Sequence, residues 1–271
     1  MKIIKVVNAL EQFAPLSLQA DFDNAGLQIG LTEADVSGAL LCLDVTEEIV
    51  DEAIEKGCNL IVSHHPLIFH KLSRISDENY VQRTVMKAIM NKVTIVAMHT
   101  NMDAAEGGVN YKMAEKLDMH DLSFFGHQQQ ATATLDDQTE RTVNGGDGVT
   151  GTLSEPLAAD DFILKLKQTF GVECVTANQL LRRKIERVAL CGGAGDFLLD
   201  DAIKAGADAF VTGEMHYHQY FGHEQQIQIA VIGHYQSEKF TSEIFRDIIH
   251  RQCPGVECYI ARTNTNPIIY L

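Results

Sequence analysis

Asn59-Leu60-Ile61-Val62-Ser63-His64-His65-Pro66 is a short apolar run that stops abruptly in two histidines and a proline. Residues 59–63 have the length and β-branched content of a buried strand. Two other places share this form. Val93 to Met98 runs into His99-Thr100-Asn101-Met102-Asp103, and Ile227 to Gly233 runs into His234-Tyr235-Gln236-Ser237-Glu238. Each puts imidazoles or carboxylates just past the carboxyl end of a predicted strand, where open α/β sheets bind ligands. Histidine, aspartate and glutamate together suit borderline and harder first-row divalent metals. The pattern predicts a metal site assembled from three strand ends.

Inside a regular strand, neighbouring side chains point to opposite faces. Where the strand turns into Pro66, His64 and His65 can instead face one cavity and serve two neighbouring metals, one each. The plainer alternative is one exposed histidine and one that caps a turn. Asp103 is a candidate direct ligand, with His99 an orienting group, proton shuttle or bystander. His234 and Glu238 share that four-residue spacing, so both meet one ion if a helix begins by His234.

Around these strand ends, strand and helix signals alternate. Residues 3–13 repeat apolar positions at helical spacing, and a loop rich in Gly, Asn and Asp follows over 21–30. Strands are predicted over 38–43, 59–63 and 93–98, and helices over 46–56, 80–91 and 106–117. Such alternation predicts βαβ units, an α/β fold and largely parallel sheets. The second half repeats the first. A shift of 149 places Leu41 on Leu190, Cys42 on Cys191, Asp51 on Asp200 and Val62 on Val211. A shift of 135 overlays the strand before His99 on the strand before His234, and Asp103 on Glu238. An internal duplication into halves 1–125 and 126–271 accounts for both. The polar, glycine-rich stretch 124–150 marks the border, and a helix over about 235–251 and the final strand are expected to pack back on the first half.

Other motifs carry weaker signals. Glu214-Met215-His216-Tyr217-His218 puts Glu214 opposite His65 in the repeat, which fits substrate binding or acid–base chemistry as well as a polar helix start. Cys191-Gly192-Gly193-Ala194-Gly195-Asp196 could offer backbone N–H groups to a phosphate. It lacks the Walker lysine and the third glycine of a dinucleotide fingerprint, so a tight strand-to-helix turn explains it better.

The net charge of −15 opposes a duplex-binding surface, whose affinity rests on neutralising phosphates, and favours a site that attracts cations. Arg182-Arg183-Lys184 is a solvated loop rather than a nucleic-acid patch. None of the six cysteines forms a C-x-x-C pair, and a chain of 271 residues needs no disulfide staples, so reduced structural thiols in the cytoplasm are expected. The apolar runs are strand-sized and predict no membrane span.

Taken together, Asp23-Asn24-Ala25-Gly26-Leu27-Gln28-Ile29-Gly30, Ser63-His64-His65-Pro66-Leu67-Ile68-Phe69, His99 to Asp103, Cys191 to Gly195, Ala207 to Glu214 and Gly233 to Glu238 resemble the NIF-three-like family. Its bacterial members include YbgI-type proteins and are often labelled GTP cyclohydrolase I type 2 homologues. The resemblance implies two similar α/β halves, two divalent metal ions between them and a toroidal homohexamer. By motif, His64, His65, Asp103, His234 and Glu238 would hold the metals, which could be Zn, Fe, Mn, Ni or Co. It further implies a metal-dependent hydrolase of GTP cyclohydrolase type acting on a small molecule, with Glu214 or His99 as proton carriers. The alternative is a non-enzymatic hexameric scaffold or regulatory interaction protein. Two departures stand out: the short border leaves no room for the inserted domain of some longer relatives, and Phe22 replaces a frequent tryptophan.

Overall fold

The computed structural model describes residues 1–135 and 137–269. The chain forms two compact units. Unit 1 gathers Met1–Ala105, Ala131–Val143 and the chain from Thr241 onward; unit 2 gathers Glu106–Gln130 and Asn144–Phe240. A single cut between 125 and 126 therefore does not separate them. The last strand pairs with a strand near the start of the chain, which returns the C-terminal end to unit 1.

In unit 1, helix α1 (Ile3–Phe13) precedes β1 (Gly26–Ile29), β2 (Ala39–Cys42), α2 (Glu47–Glu55), β3 (Leu60–Ser63), α3 (Tyr80–Met90), β4 (Thr94–Ala97) and α4 (Thr100–Ala104). Helix α9 (Thr241–Gln252) and β11 (Cys258–Ile260) complete it. The sheet order is β1-β4-β3-β2-β11, parallel except for antiparallel β1 against β4. Every residue of β2, β3 and β4 is buried, as parallel strands covered on both faces require. Leu40, Ile49, Ile61, Val85 and Ile95 form the centre of that core. Helix starts follow capping chemistry: the Asn79 side chain accepts the Gln82 N–H at 3.0 Å, and Thr46 accepts that of Ile49.

Unit 2 contains α5 (Val109–Lys116), most of the long strands β5 (Met119–Thr134) and β6 (Glu140–Leu157), α6 (Ala159–Phe170), β7 (Thr176–Ala177), β8 (Ile185–Cys191), α7 (Leu199–Lys204), β9 (Ala209–Thr212), β10 (Gln228–Val231) and α8 (His234–Glu238). Its sheet runs β5-β6-β8-β9-β10-β7, with β8, β9 and β10 parallel. Phe125, Ala189, Phe210, Ile227 and Ile229 lie in its core.

The duplication is visible in the registers. Leu41 pairs with Val62 in unit 1, and Leu190 pairs with Val211 in unit 2, each shifted by 149. Val62 then pairs with Val96, and Val211 with Ala230, so β4 and β10 differ by 134. The offset of 135 holds for the His-to-acid motifs and not for the strands before them. The second copy carries one more residue between strand and histidine, where Gly233 turns at φ 95°.

The structure refines the sequence reading in three places. Most of the polar border over 124–150 is strand: burial alternates from Gln130 to Thr134, and two glycines of β6 lie opposite phenyl rings of β5. A Cβ on Gly146 would meet the Phe124 ring at 2.8 Å, and one on Gly148 the Phe125 ring at 2.4 Å. The helix over 106–117 forms as α5 but starts later, at Val109, after Gly107 at φ 79°; the helix over 235–251 is divided into α8 and α9.

Beyond β11, the polar segment Arg262–Asn266 is held by Glu52 of α2. The Glu52 carboxylate accepts the N–H groups of Arg262 and Thr263 at 2.9 and 3.0 Å and the Thr263 hydroxyl at 2.8 Å. Burial opposes its charge, yet these donors outweigh burial and hold its carboxyl below 4.5. The stability from that lowered value is complete above pH 4.5 and is lost as the pH falls through the folded-state value. Urea denaturation over a pH series should therefore show Glu52→Gln about 1–2 kcal/mol less stable than wild type at neutral pH, with the gap closing in acid.

Candidate metal centre

The carboxyl end of β3 brings two adjacent imidazoles to one side by turning the backbone. The His64 and His65 N–H groups both donate to the Leu43 carbonyl, at 3.1 and 2.9 Å, and the Ser63 hydroxyl donates to the His65 carbonyl. The two ring centroids lie 4.9 Å apart, and the His99 ring lies 5.3 Å from each. One ring nitrogen from each of the three lies within 4.8 Å of the others. His64 is wholly buried and its Nε2 faces Asp103 Oδ1 at 3.5 Å. Unit 1 thus collects His64, His65, His99 and Asp103 at the ends of β3 and β4.

Each of the three imidazoles has Nδ1 committed to an oxygen. His64 Nδ1 donates to the Met98 carbonyl at 2.8 Å, His65 Nδ1 to Asp44 Oδ1 at 2.7 Å and His99 Nδ1 to Asp23 Oδ1 at 2.8 Å. That tautomer puts the lone pair on Nε2, and a carboxylate behind an imidazole raises its basicity, as in metal-binding histidines. Burial opposes the charge on Asp23. The hydrogen bond from His99, with those from the Thr100 hydroxyl and the Asn24 N–H, nevertheless holds its carboxyl at about 2. Asp44 is likewise held below its ordinary value despite burial, by His65 and the Thr265 hydroxyl.

Two exposed phenyl rings stand beside the imidazoles. Phe22 and Phe69 are 6.4 Å apart, and Phe69 is 6.1 Å from His99. Their loops are stapled around Ile68: its carbonyl accepts Asn24 Nδ2 at 2.6 Å, and its N–H donates to Gln28 Oε1 at 3.1 Å.

Unit 2 places His234 and Glu238 on α8, with His234 Nε2 3.2 Å from Glu238 Oε2. Helix α8 does begin at His234, the condition the spacing set. His234 Nδ1 donates to Glu214 Oε1 at 2.9 Å, so Glu214 stands behind His234 as Asp44 stands behind His65. The buried Glu238 carboxylate lies over Gly193: a Cβ there, on a residue at φ 59°, would come 2.4 Å from Glu238 Oε1. The glycine turn is not a phosphate cradle. Gly192 N–H donates to Asn110, Gly193 N–H to Ser237 and Gly195 N–H to Thr212, each at 2.9–3.0 Å.

The donor set in each unit fits a divalent metal by chemistry, with neutral imidazoles of fixed tautomer beside carboxylates. The family model for Duf34/NIF3 (NGG1p interacting factor 3) matches residues 1–267. The chain belongs to the DUF34/NIF3 family. A Clostridium perfringens relative named GTP cyclohydrolase 1 type 2 homolog is 32% identical over 273 residues, covering 100% of both chains. The crystal structure of a Staphylococcus aureus hypothetical protein matches with a TM-score of 0.88 and 27% identity, covering 100% of this chain and 99% of that one. A Bacillus cereus protein related to NIF3 has the same fold, with a TM-score of 0.85 at 24% identity and the same coverage. Among the described residues no helix is long and apolar enough to cross a membrane.

Within this DUF34/NIF3 chain, sequence reasoning missed Asp44. The signal was available: Ala39 to Leu43 is a fourth apolar run, and it too ends in a carboxylate. Asp23 stands out in the sequence only as part of a motif. Its partner His99 is 76 residues away, so only the fold reveals the pair.

Proposed function

We propose that this chain is a metal-dependent hydrolase in which His64, His65, Asp103, His234 and Glu238 hold two divalent ions. The observation that supports the reading is the adjacent pair His64 and His65, whose Nδ1 atoms are each tied to an oxygen acceptor, which orients Nε2 for a metal. When bound, such ions supply a water nucleophile near neutral pH and polarise the bond under attack. The chain's own groups then divide the remaining work. Asp44 and Glu214 fix the orientation of His65 and His234. His99, backed by Asp23, carries a proton to or from the reacting group. Phe22 and Phe69 offer an apolar edge to a planar substrate. The relatives' name suggests GTP, opened hydrolytically at purine C8, as the first substrate to try. A cytoplasmic, toroidal homohexamer completes the proposal.

The test is elemental analysis of native protein and a His65→Ala variant, with GTP turnover and phosphoesterase assays on both. About two metals per chain, falling together with turnover in the variant, is the expected result. Full metal without turnover would favour a metal-bearing scaffold. Native protein without metal would overturn the centre.

A further inference from the structure

The support behind His65 does not stop at Asp44. Asp44 Oδ1 accepts His65 Nδ1, and its other oxygen, Oδ2, accepts the Thr265 hydroxyl at 2.7 Å. Thr265 belongs to Arg262-Thr263-Asn264-Thr265-Asn266, a run without apolar side chains. Hydrophobic burial therefore does little to order it. Hydrogen bonds anchor it instead: Glu52 takes the N–H groups of Arg262 and Thr263 and the Thr263 hydroxyl, and Asp44 takes Thr265. Immediately upstream, Ala261 N–H donates to the Leu41 carbonyl at 2.9 Å, which fixes where the segment leaves the sheet edge.

We propose that Arg262–Thr265 is a strap that positions His65 through Asp44, so that metal held at His65 and order in the strap stabilise each other. The inference rests on the metal-centre reading above. Asp44 is partly open to solvent, and a carboxylate held at one oxygen only can turn about its Cβ–Cγ bond. Thr265 occupies the second oxygen and stops that rotation, keeping Oδ1 in line with Nδ1. Partners directly behind a ligating histidine typically change metal affinity by about 10–100-fold. Thr265 acts one bond further out, and a change of about 3–10-fold is expected. Linkage makes the effect reciprocal: the factor by which the strap tightens metal binding is the factor by which metal favours the ordered strap. Segments with few buried apolar contacts open most readily, so the strap is where such coupling becomes measurable.

The experiment titrates Zn2+ into metal-stripped full-length protein as wild type, Thr265→Val and Thr265→Ser, and follows hydrogen exchange at residues 262–266 with and without Zn2+. Valine matches threonine in shape but puts a methyl where the hydroxyl was; serine restores the hydroxyl. Expected are weaker Zn2+ binding in Thr265→Val, near-wild-type binding in Thr265→Ser, and slower exchange of the strap in wild type once Zn2+ is added. Thr265→Val should lose that metal-dependent protection. If wild type binds Zn2+ while Thr265→Val binds equally well, or while strap exchange ignores the metal, the coupling is overturned and the centre stands. If wild type binds no Zn2+, the centre and the coupling fall together. The exchange measurement on wild type decides the matter even if Thr265→Val folds poorly.

Discussion

Replacing His64 with alanine is expected to weaken metal binding by more than about 100-fold, beyond the effect of removing a supporting partner. The imidazole is wholly buried, and its two nitrogens face different groups, the Met98 carbonyl and Asp103. Alanine removes the donor to that carbonyl as well as the ligand atom, so stability should also fall, by about 1–3 kcal/mol for the buried acceptor left unmatched. His64→Gln provides the control. Its amide can replace the donor without supplying an imidazole, so it should recover part of the stability and little of the metal. Metal content by elemental analysis and urea midpoints separate the two effects. Undiminished metal in both variants would remove His64 from the ligand set.

Gly193→Ala should be among the most damaging single-methyl changes in unit 2. The residue sits at φ 59°, where an L side chain is strained, and its Cβ would come 2.4 Å from the Glu238 carboxylate. Gly206 supplies the comparison: it has φ 73°, and a Cβ there would meet nothing within 4 Å. Gly206→Ala isolates the backbone cost, about 1–2 kcal/mol. Gly193→Ala should exceed it by about 1–3 kcal/mol, the range for overpacking a closed site, and should also lower metal content because Glu238 must move. Chemical denaturation of the two variants gives the difference directly. Equal destabilisation would mean that Glu238 yields without penalty.

Much of the fold was legible because buried parallel strands leave a strong local trace. Val62, Val96 and Val231 lie in apolar runs that end abruptly, and the ends carry the candidate ligands. The hairpin of β5 and β6 was not legible for the opposite reason. Its glycines imitate a loop in sequence, and only the phenyl rings of Phe124 and Phe125 facing them explain why glycine is required. The site shows the same division. His64, His65 and Asp103 announce themselves by position after a strand, whereas Asp23 and Thr265 act across 76 and 221 residues of chain. Partners at such separations leave no periodicity to read.

Under the shift of 149, position 44 falls on position 193, and the two copies use it for opposite ends. In one copy the position carries a carboxylate that steadies a histidine; in the other it is a glycine lying beneath a glutamate. A side chain at 193 and the Glu238 carboxylate would claim the same volume, so the second copy cannot take the first copy's aspartate there while Glu238 keeps its place. Kinship of sequence thus does not make the two copies interchangeable at this position.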